Sequence, residues 1–170
     1  MILNLATTLD GFIEGPNGEY DWCFTDQDYG MSEFFKRIDS VFMGRKSYEL
    51  ALSMADVELP HPKLTEYVFS TTLNEVRPGS ILIKTDIEAE VNRIKNSPGK
   101  DIWLFGGASL TASLLNLGLV DEMNLAVHPI VLGAGKPMFS NIKDRIPFTL
   151  LHTKTYSTGL VSLTYSLQGK

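Results

Sequence analysis

One cysteine, Cys23, stands in 170 residues. A lone thiol closes no internal disulfide, so a disulfide-stapled secreted scaffold is excluded and a reducing, cytoplasmic setting is expected. The three histidines, His61, His128 and His152, lie far apart in sequence. None has a histidine or cysteine partner at ligand spacing, so no metal centre is expected. No apolar run approaches the roughly 20 residues of a membrane helix, and the first residues carry neither a basic leader nor a small-residue cleavage site. Acidic residues outnumber basic ones 20 to 15, for a net charge of −5. That balance argues against a broad nucleic-acid footprint. A GxGxxG turn with an acidic residue about 20 positions on, the usual NAD fingerprint, is also missing.

What is present is an apolar chain, 44% hydrophobic. That is enough for a substantial core, and residues 1–170 are expected to form a single domain. Residues 2–8 read as a buried strand. Turn signals at Asp10-Gly11 and Pro16-Asn17-Gly18 flank Phe12-Ile13-Glu14. Residues 15–30 are polar and aromatic without a period, a long loop of the kind that often carries function. Met31, Phe34, Phe35 and Ile38 repeat at helical spacing.

Further strands are expected at 40–43, 66–70, 80–83, 101–105 and 122–131, the last broken by Pro129. Helices are expected at 47–51, around Ile87, Val91 and Ile94, and after Gly107, where Gly118 is a plausible cap. Residues 54–62 and 133–137 read as loops. Residues 148–155 and 160–167 read as a closing hairpin around Ser157-Thr158-Gly159. Strands alternating with helices predict an α/β fold: a mainly parallel central sheet with helices on both faces, and an antiparallel hairpin at the C-terminus.

Three places in this pattern offer chemistry. An apolar strand stops at Gly106-Gly107 and a helix starts at once with Ala108-Ser109. Bare amides and the helix dipole favour a phosphate there, with Ser109 adding a hydroxyl. The other reading of the same residues is a tight turn that needs positive φ. A second strand-to-helix turn, Gly44-Arg45-Lys46-Ser47, adds two cations against the preference of the dipole. An Arg fork beside a Lys point charge suits an adenosine 2′-phosphate; a solvated surface pair is the plainer alternative. Ser70, Thr71 and Thr72 close the next strand and either cap that phosphate or form an ordinary turn. All three sites would lie at the carboxyl ends of strands, where open α/β sheets bind ligands. The loop from Asp10 to Asp28 brings carboxyls and Trp22. Asp10 and Asp28 are candidate proton donors and Trp22 a candidate wall for a flat ring, against the alternative of solvated loop residues.

These residues resemble the dihydrofolate reductase-like superfamily over nearly the whole chain. Within it the nearest likeness is to the reductase domain at the C-terminus of the bifunctional riboflavin biosynthesis deaminase-reductase and its stand-alone bacterial relatives. The most specific segment runs from Gly118-Leu119-Val120-Asp121-Glu122 through Pro129-Ile130-Val131-Leu132-Gly133-Ala134-Gly135-Lys136-Pro137-Met138-Phe139. Thr8-Leu9-Asp10-Gly11 resembles the Ser-Leu-Asp-Gly opening of the family, and the segments from Val41 to Glu49 and from Phe105 to Ala108 are common to both branches.

The resemblance implies a three-layer α/β/α fold, a homodimer and an NADPH site. Gly44, Arg45, Lys46, Ser47, Ser70 and Thr71 would hold the 2′-phosphate side. Gly106, Gly107, Ala108 and Ser109 would meet the pyrophosphate, often with a cis peptide in the glycine pair. Ala6 and Thr7 would lie near the nicotinamide. Hydride would pass to a C=N or C=O carbon of a small heterocyclic substrate, with 5-amino-6-(5-phosphoribosylamino)uracil the named example. Pterin reduction and a non-catalytic NADP(H)-binding module are the alternatives. The acidic residue that dihydrofolate reductases keep ahead of a Phe-Lys-Arg-like stretch falls here at Met31.

Overall fold

The computed structural model describes residues 1–53 and 62–168. The expected loop at 54–62 therefore lies, apart from Pro62, outside the described residues. Among the described residues, ten strands and four helices follow one another: β1 (Ile2–Thr8), β2 (Phe12–Glu14), α1 (Met31–Arg37), β3 (Ile38–Gly44), α2 (Arg45–Ser53), β4 (Thr65–Phe69), β5 (Ser80–Ile83), α3 (Ile87–Lys95), β6 (Asp101–Gly106), α4 (Ala108–Asn116), β7 (Glu122–His128), β8 (Lys136–Pro137), β9 (Phe148–Thr155) and β10 (Val161–Leu167). Eight strands form one sheet in the order β5-β4-β3-β6-β1-β7-β10-β9. The pairs from β5 to β7 are all parallel, while β10 runs antiparallel to both β7 and β9. This is the expected α/β sheet with its C-terminal antiparallel pair.

Helices cover both faces because the strand side chains alternate. Leu3 of β1 packs with Phe42, Leu104, Val91, Leu110 and Leu114, beneath α3 and α4. Its neighbour Ile2 packs with Phe34 of α1 on the opposite face, where Tyr48 of α2 covers Val41, Met43 and Val68. The central strands are apolar on both faces for this reason, and Leu3, Phe42 and Leu104 are fully buried. The outer strand β9 is exposed along nearly its whole length, with Leu150 and Leu151 half exposed. No described helix is long and apolar enough to cross a membrane.

Several boundaries moved. Helix α1 stops at Arg37 and Ile38 is already extended, at φ −111° and ψ 153°. The helical spacing of Ile38 is accidental: its buried side chain opens β3, where a β-branched residue is favoured. Strand β7 ends at His128, because Pro129 donates no ladder hydrogen bond. Within the expected loop at 133–137, Lys136–Pro137 pairs with β2 to form a small second sheet.

Candidate functional site

The parallel strands deliver the predicted turns to one edge. Gly44 ends β3 beside Phe69 of β4, and Met43 lies beside Gly106 at the end of β6. Gly106 has φ 108° and Gly107 φ 37°, in the region that favours glycine. All described peptide bonds are trans, the one joining these glycines included. The two turns are joined directly: the Gly107 amide donates to the Ser47 hydroxyl at 2.9 Å. A Cβ at Gly107 would stand 3.3 Å from that hydroxyl, and one at Gly44 would stand 3.6 Å from Leu110 Cβ. Helix α4 then begins at Ala108 with no side chain hydrogen-bonded to its first amides. Its dipole and open donors make that end receptive to an anion.

Around this junction, Arg45 opens α2 and rests its guanidinium on Glu49 at 3.2 Å, with both side chains nearly half exposed. An exposed pair of this spacing contributes little stability, so Arg45 is free to exchange Glu49 for a phosphate. Lys46 and Thr71 are exposed. The Ser70 hydroxyl accepts the amides of Thr72 and Leu73, at 3.2 and 3.0 Å. It also meets the Thr72 hydroxyl at 3.3 Å, and so shapes its own turn. Ala6 is partly exposed near the end of β1; Thr7 is buried and donates to the Phe12 carbonyl at 3.2 Å. Ser109 is exposed on the first turn of α4. The residues present fit a phosphate-bearing dinucleotide: two glycines at positive φ before a helix start, open first amides, and two exposed cations.

The loop side is built differently. Asp10 accepts the Thr8 hydroxyl at 2.6 Å and the amides of Leu132 and Gly133 at 3.1 and 2.8 Å. The Thr8 hydroxyl first, then those amides, hold its carboxyl below the usual range. Asp28 accepts the Ser32 hydroxyl at 2.7 Å and the amides of Ser32 and Gly30, starting α1. Those bonds also hold its carboxyl low. Both groups are carboxylates fixed as acceptors near neutral pH, and neither has a proton to give there.

Trp22 has its indole N–H shielded from solvent with no hydrogen-bond partner, and the Asn124 side-chain oxygen of β7 is in the same state. Such atoms carry a desolvation cost until something pairs with them. Asn124 lies beside Asn4, and Ala6 beside Ala126, on neighbouring parallel strands. Their side chains therefore share a face, with small residues between Asn124 and the strand ends.

Three contributors were missed in the sequence. His128, buried at the end of β7, accepts the Phe24 amide on Nε2 at 3.1 Å and stands edge-on to Trp22 at 5.3 Å. Phe105, at the end of β6, is 37% exposed beside Trp103. Asn124 is the third. Strand alternation marks the face of Asn124 and Phe105, whereas nothing local announces a partner 104 residues from His128. Burial and then Asp21 push the Cys23 thiol up to about 11, so it stays protonated near neutral pH.

Residues 1–162 match the model of the RibD C-terminal domain family. A Bacillus subtilis protein, "Uncharacterized protein YyaP", is 48% identical over 99% of this chain and 95% of its own length. A putative riboflavin biosynthesis protein from Shewanella sp. PV-4 superposes with a TM-score of 0.87 at 27% identity, covering 98% of both chains. Dihydrofolate reductase from Enterococcus faecalis, complexed with NADP(H), superposes at a TM-score of 0.68 and 15% identity, over 98% of this chain and 95% of its own. At that identity the likeness is one of fold.

Proposed function

The chain belongs to the RibD C-terminal domain family, and on that premise we propose that it is an NADPH-dependent reductase of a small heterocyclic substrate. The observation that carries the reading is the Ser47–Gly107 hydrogen bond, which joins a glycine-lined helix start to a turn bearing two cations. The pyrophosphate lies at the Gly106-Gly107 turn, against the open amides of Ala108 and Ser109. Arg45 and Lys46, with Ser47, Ser70 and Thr71 beside them, take the 2′-phosphate, and Gly44 leaves room for the chain to pass. Ala6 and Thr7, near the end of β1, face the nicotinamide. When bound, NADPH supplies a hydride from that ring.

On the other side, Trp22 walls a flat substrate, and its unpaired N–H and the Asn124 oxygen, both shielded from solvent, become a donor and an acceptor for it once the loop at 15–30 shifts. Asp10 and Asp28 position loops rather than donate protons, so the proton that accompanies reduction comes from water. A uracil bearing amino substituents, such as 5-amino-6-(5-phosphoribosylamino)uracil, matches a face of neutral donors and acceptors. Pterin reduction is disfavoured by Met31, which stands where dihydrofolate reductases keep an acid. We place the enzyme in the cytoplasm as a homodimer of single-domain chains.

The test is oxidation of NADPH, followed by its absorbance, against a panel of aminopyrimidine and pterin substrates. Turnover of an aminopyrimidine is expected. NADPH binding without oxidation of any substrate would instead assign the chain as a binding module, a reading favoured by the two committed carboxylates. Failure to bind either nicotinamide dinucleotide would overturn both.

A further inference from the structure

Residues 15–30 are joined to the sheet at a histidine. His128 ends β7 beside Thr8 of β1 and is only 3% exposed. Its Nε2 lies 3.1 Å from the Phe24 amide nitrogen. A backbone amide can only donate, so Nε2 is the unprotonated nitrogen. The proton sits on Nδ1, which points at the Ala126 carbonyl 3.0 Å away. The imidazole is thus fixed as one neutral tautomer. The ring is also flanked by the two aromatics of the same short segment, Trp22 at 5.3 Å and Phe24 at 5.0 Å between centroids. Farther along, Tyr29 meets Tyr156 at 4.9 Å and reaches the Thr158 hydroxyl at 3.2 Å.

We propose that His128 is a positioning residue, a proton-gated latch whose neutral ring holds the segment Trp22–Phe24 down on the ends of β1 and β7 and releases it on protonation. A proton on Nε2 would face the Phe24 N–H donor to donor, so the hydrogen bond is lost and the buried ring gains an uncompensated charge. Burial already disfavours the charged form, and the carbonyls of Ala126 and Thr7 offset this only in part.

The groups around the ring do not replace it as the switch. The loop brings Asp21 and Cys23 on either side of Trp22, and Tyr29 beyond Phe24. β1 brings no titratable side chain before Asp10, which is tied to Leu132 and Gly133. β10 brings Val161 and Ser162, and Lys154 of β9 lies over the Tyr156 ring. No charged side chain figures among the influences on His128. The latch concerns the loop itself and stands whether or not the chain reduces anything with NADPH.

Amide hydrogen exchange read by mass spectrometry, on the peptide containing Phe24, tests the latch without reference to activity. After correction for intrinsic rates, opening in the native protein is expected to rise as pH falls below the ordinary histidine range, by at most about tenfold per pH unit for one proton. His128→Gln, whose amide oxygen still accepts the Phe24 N–H and does not titrate, should keep the segment protected with no acid dependence. His128→Ala should leave it open at every pH, while exchange in α4 is unchanged. If acid opening persists in His128→Gln, the loop carboxylates control it and the proposal fails. Unchanged protection of Phe24 in a folded His128→Ala protein would overturn it equally.

Discussion

At the turn after β6 the ligand would meet backbone, whereas in the loop at 15–30 it would meet side chains. The first surface needs only that two glycines adopt positive φ at the end of a buried strand and that a helix starts beside them. Its chemistry is general: amides, a dipole and two cations recognise phosphate wherever it comes from. The second surface depends on particular rings and on contacts between distant parts of the chain, such as Phe24 with His128. The contrast teaches that one side of this candidate site is fixed by strand geometry, and the other by particular side chains brought together over long distances in the chain.

Breaking the backbone side should give the largest effect. Gly107→Val forces a β-branched residue to φ 37° and a Cβ to within 3.3 Å of the Ser47 hydroxyl. The strain is about 1–3 kcal/mol, and the NADPH-induced rise in Tm should disappear. A Gly107→Val protein that still binds NADPH like the parent would remove the glycine turn from the site.

Next in size is Arg45→Ala. Losing a charge-assisted contact worth about 1.5–3 kcal/mol should cost roughly ten- to a hundredfold in NADPH affinity. NADH should be little affected, and Tm without ligand should hold, because the exposed pair with Glu49 adds little. Equal losses for the two dinucleotides in titration calorimetry would sink the 2′-phosphate role.

Ser47→Ala sharpens the comparison, since it removes the side chain that joins the two turns. It should lower stability by about 1 kcal/mol, read as a fall of a few degrees in Tm, and weaken NADPH binding less than Arg45→Ala does. The smallest effect belongs to the loop. Trp22→Phe keeps a ring and deletes a buried N–H without a partner. Stability should hold or rise slightly, while KM for the substrate should increase a few-fold with kcat nearly kept. A KM identical to the parent's would mean that this N–H does not meet the substrate.

The sequence made the backbone side legible because that side is local. An apolar run, two glycines and an amphipathic helix are consecutive in the chain, and parallel topology carries Gly44 and Gly106 to the same edge. The α/β layering followed from the same alternation, as Ile2 and Leu3 demonstrate by facing opposite cores. What escaped was long-range or conditional. Ile38 fits a helical stripe and a strand equally well until the core is known. Asp10 and Asp28 looked available as acids because their partners Leu132, Gly133 and Ser32 are backbone or hydroxyl donors that no motif announces. His128 looked partnerless because Phe24 is 104 residues away.

The bond between Ser47 and Gly107 has one more consequence. It clamps two segments 60 residues apart before any ligand arrives, so the ordering entropy of both turns is charged to folding and not to association. A preorganised cradle of this kind binds with little further loss of freedom. Adding the dinucleotide should therefore raise the melting temperature by mass action while leaving the backbone motions of these two turns almost as they were.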